Sequence, residues 1–294
     1  MKGVRLAAAL LALPLALLLQ LVPAATAAHA KRRETINADG TPKLKSKVVL
    51  VLRNKTGKAL LAKRATELHA IASLTKLQVA LVVRARGIKL DRGTTITRED
   101  HKVAVRGART RLELKWVYRN RDLLHASLMA SDNRATSALG RAVGLHTTAL
   151  VQALNEKARR MGLKRTRFLG PVGIDHGNVS TAWEVSRIVR ATGRDQLLRE
   201  IMTKRDYTVK PLKGYIKVHY RNTNPLISKV RGARFIASKT GYNAKAGYCI
   251  AAVAKVRGEE YTFVLFGAPA KISRVRDLRR LINWVRRGAR GRSS

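Results

Sequence analysis

Three short motifs along the chain carry residue types that can perform acyl-transfer chemistry. They are Ser-Leu-Thr-Lys at residues 73–76, Ser-Asp-Asn at residues 131–133 and Lys-Thr-Gly at residues 239–241. Together they supply a hydroxyl nucleophile, a neighbouring amine, a polar relay and a cationic anchor for a carboxylate. Each motif alone is common on helix surfaces and in turns. Their order and spacing together predict an active-site serine enzyme.

Ser73 is the candidate nucleophile and Lys76 the candidate general base. Three residues apart on a predicted helix, they share one face, so the amine can reach the hydroxyl. Lys76 acts as a base only when it is neutral, which burial and a second nearby cation, Lys239, both favour. We expect the helix to begin at Ser73, so that its backbone amide can donate to a developing oxyanion.

The Ser-Asp-Asn motif falls between two helical patterns and predicts a tight interhelical turn. Ser131 can relay a proton to the leaving amine. Asn133 can position Lys76 and the peptide group of a substrate. Asp132 is expected to brace the turn through backbone amides.

The Lys-Thr-Gly motif is predicted to end a β-strand. Lys239 and Thr240 can hold a substrate carboxylate there, and Gly241 lets a substrate backbone approach closely. The backbone amide of Tyr242 is the candidate second oxyanion donor, beside that of Ser73.

The elements that must carry these motifs predict an α+β fold. An antiparallel sheet is flanked by helices, and a mainly helical subdomain at about 91–200 interrupts it. We expect a final helix whose apolar stripe packs in the core, in preference to a helix lying on a membrane surface. The strand patterns are Val48–Leu52, Ala59–Ala62, Arg234–Lys239, Gly247–Val256 and Tyr261–Phe266.

The predicted domain organisation has four parts. Residues 1–30 form a signal peptide, 31–45 a polar arm, 46–285 the catalytic domain and 286–294 a basic tail. The first part has a short positive start, an apolar run from Leu6 to Val22 and small residues suited to cleavage. The alternative is an uncleaved membrane anchor. The prediction is an exported, periplasmic protein, peripheral to the membrane or wall.

The charge balance is strongly basic, with 60 Lys and Arg against 18 Asp and Glu, a net charge of +42. Such a charge predicts electrostatic association with anionic envelope polymers or lipids. Aromatics are only 5% of residues, which argues against a single-strand nucleic-acid platform, and no specific nucleic acid is expected. The single cysteine excludes an intramolecular disulfide, and the seven histidines show no ligand spacing, so neither metal nor cofactor is expected.

The chain resembles the low-molecular-mass penicillin-binding proteins, the serine D,D-peptidases of the bacterial cell wall. Two segments, Gly170–Asp175 and Arg221–Leu226, point to their D-alanyl-D-alanine endopeptidase subgroup, penicillin-binding protein types seven and eight. Asn243 departs from the family, which usually carries threonine there. The matching segments are Ile71–Leu77, Leu128–Ala135, Gly170–Asp175, Arg221–Leu226, Ser238–Tyr242 and Ala246–Cys249.

The resemblance implies a β-lactamase/D,D-peptidase-like fold and hydrolysis of D-alanyl–diaminopimelyl cross-links of peptidoglycan through a Ser73 acyl-enzyme. β-Lactams would then be covalent inhibitors. Carboxypeptidases of the family usually add a β-rich domain and a membrane tail, whereas only a helix and a basic tail follow Lys271. This comparison favours the endopeptidase subgroup.

Three alternatives stay open. A D,D-carboxypeptidase acting on uncross-linked stem peptides would use the same residues. A β-lactamase is less favoured, because rapid deacylation usually needs a carboxylate and the loop at residues 170–178 offers only Asp175. A non-catalytic polycationic envelope-binding protein would explain the charge but not the complete set of catalytic side chains.

Overall fold

The central strands of the fold bury apolar side chains on both faces. In a computed structural model, which describes residues 36–107, 110–174 and 176–289, all five residues from Val48 to Leu52 are at most 2% exposed. Side chains alternate along a strand, so Val48, Leu50 and Leu52 enter one apolar core and Val49 and Val51 enter another. Two buried faces require cover on both sides of the sheet.

The main sheet has five strands, and every pairing in it is antiparallel. Their order across the sheet is β10 (Ala233–Asn243), β11 (Gly247–Val256), β12 (Glu259–Ala268), β1 (Val48–Arg53) and β2 (Ala59–Lys63). Strand β10 is therefore an edge strand. Within the described residues, three smaller sheets pair β3 with β6, β5 with both β4 and β8, and β7 with β9. The strands are β1 Val48–Arg53, β2 Ala59–Lys63, β3 His69–Ala70, β4 Gly93–Thr95, β5 Val117–Arg119, β6 Val179–Ser180, β7 Asp206–Val209, β8 Pro211–Lys213, β9 Val218–Arg221, β10 Ala233–Asn243, β11 Gly247–Val256 and β12 Glu259–Ala268.

Helices cover the sheet on both faces. Helix α6 (Ala182–Arg194) packs against β1, β10, β11 and β12 on the side of one core. Helix α8 (Lys271–Arg286) packs against β11 and β12 on the side of the other core. A short 3₁₀ helix, Ala72–Leu74, leads into α1, which is buried along most of its length. The helices are α1 Thr75–Ala85, α2 Arg98–Ala104, α3 Asn120–Met129, α4 Asn133–Arg141, α5 Thr147–Arg160, α6 Ala182–Arg194, α7 Gln196–Thr203 and α8 Lys271–Arg286.

The predicted α+β class is confirmed, and so is the core packing of the final helix. Val275, Leu278, Leu281, Ile282 and Val285 of α8 are all buried. The α-helix at the first motif begins at Thr75 and not at Ser73, because Ala72 has a positive φ of 47° and the next residues form a 3₁₀ turn. Ser73 therefore precedes the α-helix.

The chain divides into two units, Met1–Lys43 and Leu44–Ser294. In the first, the described residues 36–43 form a turn closed by an Ile36–Pro42 bridge. The predicted signal peptide and the last residues of the predicted tail lie outside the described residues, and the predicted domain boundaries remain predictions. Within the described ranges no helix is long and apolar enough to cross a bilayer.

Candidate active site

The amine of Lys76 lies at the centre of the site. Its Nζ is 3.0 Å from the Ser73 Oγ, 2.8 Å from the Asn133 Oδ1 and 2.5 Å from the carbonyl oxygen of Val172. Ser73 lies in the 3₁₀ helix and Lys76 in the first turn of α1, and side chains three residues apart share one helical face. The first two motifs thus meet in space as predicted, whereas Val172 was not anticipated.

Burial changes the chemistry of this amine. Lys76 is 0% exposed, and loss of hydration lowers its pKa to about 7, against the opposing attraction of the Asp132 carboxylate. A lysine with such a pKa is neutral for a large fraction of the time near neutrality. It can therefore accept a proton from a neighbouring hydroxyl.

The Ser-Asp-Asn motif forms the turn between α3 and α4, as predicted. Asp132 caps α4 by accepting from the Ala135 amide at 3.0 Å, and its other oxygen accepts from the Arg111 amide and the Tyr220 hydroxyl. The brace predicted at Asp132 is therefore present. These bonds fix the backbone on which Ser131 and Asn133 stand.

Ser131 has a positive φ of 64°, and its Oγ is buried without a hydrogen-bond partner among the described residues. It lines the same cleft as Ser73. A buried hydroxyl without a partner is available to an incoming group. The relay role of Ser131 stays a prediction, because no hydrogen bond joins it to Ser73 or Lys76 within the described part of the chain.

The Lys-Thr-Gly motif lies near the end of β10, at the edge of the sheet. Lys239 is 1% exposed and donates to the Thr240 carbonyl at 2.8 Å. Burial, and then repulsion from Lys76 and Arg274, holds its pKa well below the ordinary value. The Thr240 hydroxyl donates to the Thr223 Oγ1 at 2.7 Å.

Gly241 brings this strand against the nucleophile turn. A Cβ on Gly241 would lie 3.0 Å from the Ile71 carbonyl oxygen and 3.2 Å from the Ser73 nitrogen. Only glycine allows this approach without displacing the turn. Tyr242 follows, 56% exposed and stacked on Tyr248 at 4.3 Å between ring centroids.

Arg274 is a residue that the sequence reasoning missed. It is 3% exposed, donates to the carbonyls of Gly241 and Cys249 at 3.3 and 3.2 Å, and lines the cleft. Burial lowers its pKa to about 10. A signal existed, because Arg274 shares the buried face of α8 with Leu278 and Leu281, where a charge needs a reason.

The loop at residues 169–174 forms the opposite wall. Besides the Val172 carbonyl at Lys76, it places Gly173 against the nucleophile turn, with a φ of 81°, so that an added Cβ would collide with the Ala72 carbonyl. Asn243, the departure from the family pattern, accepts from the Ala246 amide at 2.7 Å. It also donates to the Gly173 carbonyl at 3.3 Å. Asn243 therefore links the end of β10 to this loop.

The motifs enclose an open cleft with a volume of about 1160 Å³. Ser73, Ser131, Asn133, Thr240, Gly241 and Tyr242 all line it, together with the cations Arg106, Lys271 and Arg274. Lys76 and Lys239 are buried, and each bonds to a residue that lines the cleft, Ser73 and Thr240 respectively. Asp175, on which the β-lactamase alternative depends, lies outside the described residues.

Comparisons with known proteins agree with this geometry. A D-alanyl-D-alanine endopeptidase of Pseudomonas aeruginosa is 31% identical over 83% of this chain and 78% of its own. One of Escherichia coli is 28% identical over 91% of this chain and 85% of its own. The DD-transpeptidase of Streptomyces K15 superposes with a TM-score of 0.76 at 25% identity, covering 83% of this chain and 97% of its own.

A D-alanyl-D-alanine carboxypeptidase of Mycobacterium tuberculosis shares the fold, with a TM-score of 0.74 at 22% identity over 83% of this chain and 92% of its own. The family model of D-alanyl-D-alanine carboxypeptidases, peptidase family S11, matches residues 35–270. With most of its length matched, the chain belongs to the D-alanyl-D-alanine carboxypeptidase family of serine peptidases.

Proposed function

We propose that the chain is an exported D,D-endopeptidase, which cleaves D-alanyl–diaminopimelyl cross-links of peptidoglycan through an acyl-enzyme on Ser73. The observation that carries this proposal is the set of three oxygens around the Lys76 amine. Two of them, the Asn133 Oδ1 and the Val172 carbonyl, can only accept hydrogen bonds. A neutral amine donates its two protons to these and turns its lone pair toward the Ser73 hydroxyl, the one partner able to donate.

The reaction then follows in two steps. Lys76 takes the proton of Ser73 as Oγ attacks the D-alanine carbonyl carbon, and the backbone amides of Ser73 and Tyr242 are the proposed donors to the oxyanion. As the carbon–nitrogen bond breaks, Ser131 passes to the departing amine the proton that Lys76 took from Ser73, and Lys76 becomes neutral again. Water, deprotonated by the same lysine, attacks the resulting ester and frees Ser73.

Three cationic or hydroxyl groups are proposed to hold the carboxylate beside the scissile bond: Lys239, Thr240 and Arg274. An incoming carboxylate favours the ammonium form of Lys239. Because the two lysines repel each other, a charged Lys239 also favours the neutral form of Lys76. Substrate binding would thus leave the proton on the anchoring lysine and the free amine beside the nucleophile.

The endopeptidase assignment rests on two supports. Two relatives described above are named D-alanyl-D-alanine endopeptidases. The open cleft, whose rim carries Arg106 and Lys271, also has room and positive charge for a second stem peptide bearing carboxylates. Carboxypeptidase action on uncross-linked stems is the second candidate, since a carboxypeptidase shares this fold.

Digestion of purified cross-linked muropeptides, followed by mass spectrometry, separates these two activities. An endopeptidase converts the cross-linked dimer into monomers. Release of terminal D-alanine alone, with the dimer intact, would show that the cleft serves a carboxypeptidase.

Covalent labelling tests the nucleophile. Fluorescent penicillin should label the parent and a Ser228→Ala control, whose serine is exposed and away from the cleft, but not Ser73→Ala. Equal labelling of all three proteins would falsify the assignment of Ser73. Absence of labelling and digestion in a folded parent would favour the non-catalytic envelope-binding alternative.

We further propose that residues 1–30 direct export and that the positive charge retains the protein at an anionic envelope. The net charge of +42 supports retention. Comparing the N-terminus of the protein recovered from the cell envelope with that of the cytoplasmic precursor tests the cleavage. An intact Met1 in the envelope fraction would favour the membrane-anchor alternative.

A further inference from the structure

A group of exposed apolar side chains lies at the turn after strand β8. Tyr215 is 84% exposed, Ile216 49% and Leu212 43%, and every residue from 212 to 217 is exposed. We call residues 212–217 the hairpin tip. Scattered single apolar residues are ordinary on a protein surface, but an adjacent group that includes a tyrosine and an isoleucine indicates an interaction site.

The hairpin tip is held in a defined conformation. Strand β8 pairs with β5, with Lys213 opposite Val117. Gly214 has a φ of 121°, and the Trp116 ring lies directly on its backbone, so that any Cβ there would collide with the indole. The Trp116 ring also contacts Tyr215, with 5.1 Å between centroids. The exposure of Tyr215 and Ile216 is therefore built into the fold.

Lysines surround the apolar residues of the hairpin tip. Lys210, Lys213 and Lys217 are all exposed, and none forms a salt bridge with a described residue. Lys115, next to Trp116, is also exposed and adds a positive charge. Glu113, two residues before it, is an acidic residue in the same segment. The hairpin tip therefore combines exposed apolar side chains with neighbouring lysines, in a chain whose net charge is +42.

From this arrangement we propose that the hairpin tip binds the surface of an anionic lipid bilayer. Tyr215 and Ile216 enter the interfacial layer, where amphipathic aromatic rings and aliphatic side chains are favoured. The lysines lie against the headgroup phosphates, where each one contributes about a fivefold gain in binding. Membrane binding of this kind is peripheral and reversible.

A glycan strand is the competing ligand, because sugar rings stack on aromatic side chains. The observations favour lipid over glycan. One face of Trp116 is covered by Gly214, which leaves Tyr215 as the exposed ring, and the neighbouring Leu212 and Ile216 offer no hydrogen bonds to hydroxyl groups.

The test is co-sedimentation of the exported, processed protein with vesicles. One set contains phosphatidylcholine alone and the other equal parts of phosphatidylcholine and phosphatidylglycerol. We expect binding to the anionic vesicles, weakened at least about tenfold in Tyr215→Ser/Ile216→Ser and about 25-fold in Lys213→Gln/Lys217→Gln. Leu68→Ser is the matched control, since Leu68 is 50% exposed at another place, and it should bind as the parent does.

Brominated acyl chains give a second, local measurement. Because Trp116 contacts Tyr215, its fluorescence should be quenched when the hairpin tip enters a brominated anionic bilayer. The quenching should be lost in Trp116→Phe and in Tyr215→Ser/Ile216→Ser. Melting temperatures, measured for each variant, show that the fold is retained without reference to peptidase activity.

Two results would overturn the inference. Equal binding of the parent and both double variants would show that the diffuse positive charge alone attracts the vesicles. Binding to insoluble peptidoglycan that depends on Tyr215, without vesicle binding, would identify a glycan as the partner. Neither result depends on whether Ser73 is acylated, so failure here is distinguishable from failure of the proposed function.

Discussion

The rate at which penicillin acylates Ser73 should depend on pH through the proton on Lys76. Burial lowers the Lys76 pKa to about 7, and the amine serves as a base only when it is neutral. Its neutral fraction is about one tenth at a pH one unit below that value and about nine tenths one unit above it. The second-order rate constant of acylation should therefore rise about tenfold over this interval, with its midpoint near neutrality.

The protonation of Lys239 acts on the rate in the opposite direction. Lys239 holds the carboxylate only as an ammonium, and its pKa is also lowered by burial and by its neighbours Lys76 and Arg274. As Lys239 loses its proton, attraction for the ligand carboxylate disappears and the rate declines. The two lysines interact, so the two limbs report the pair as a coupled system.

Substitution of Asp132 tests whether Lys76 causes the rise of the acylation rate with pH. Its carboxylate raises the Lys76 pKa, so Asp132→Asn removes an opposing charge at nearly constant shape and should move the midpoint to lower pH. Asp122→Asn is the matched control, since Asp122 is a buried acid that accepts from the Tyr207 hydroxyl and is not among the groups that shift the Lys76 pKa. It should leave the midpoint unchanged.

The assay is stopped-flow or gel-based labelling with fluorescent penicillin across the pH range, with melting temperatures as a check on folding. A rate that is independent of pH, or one that rises only near the ordinary lysine pKa, would refute a neutral Lys76 as the base. A midpoint that moves upward in Asp132→Asn would contradict the electrostatic assignment, even if the profile of the parent agrees.

Three further outcomes are expected. Gly173→Ala should lose most penicillin labelling and about 1–3 kcal/mol of unfolding free energy in urea titrations, because the new Cβ collides with the Ala72 carbonyl at a positive φ. Arg274→Gln should raise the KM for D-alanyl-D-alanine peptides about tenfold or more with a smaller change in kcat, since the proposed role is carboxylate binding; an equal loss in kcat alone would argue against it. Asp277→Ala should lower unfolding free energy by about 2–4 kcal/mol while labelling of the folded protein persists, because one buried carboxylate oxygen accepts from the Ser46 amide and hydroxyl and from the Lys45 amide.

The elements of the sheet and of the final helix could be predicted because side-chain periodicity records them directly. The continuous apolar run Val48–Leu52 and the regular apolar stripe of α8 each leave a pattern within a few residues. The start of the nucleophile helix could not be predicted in this way. Over three residues, a 3₁₀ helix and an α-helix give nearly the same pattern of apolar side chains. Ala72 has a positive φ, which an alanine in the sequence does not indicate.

Side chains in the three motifs could be assigned to one site because acyl transfer restricts the residue types to a small set. The partners that complete the site were not predictable for a different reason. Val172 acts through its backbone carbonyl, which every residue possesses, and it meets Lys76 across 96 positions of sequence. Thr223 and Arg274 likewise depend on how β9, β10 and α8 come together.

Two glycines, one in each wall of the cleft, allow the backbone to pack closely against the nucleophile turn. Gly173 and Gly241 contact the Ala72–Ser73 turn from two different segments, and a Cβ would lie 2.8 Å from the Ser73 nitrogen at the first and 3.2 Å from it at the second. The Val172 carbonyl can bond to Lys76 only if the next residue fits against the turn, so Gly173 is required for the orientation of the base. The relative position of the Ser73 hydroxyl and the Lys76 amine therefore depends on backbone packing from both walls of the cleft, as much as on the three motifs themselves.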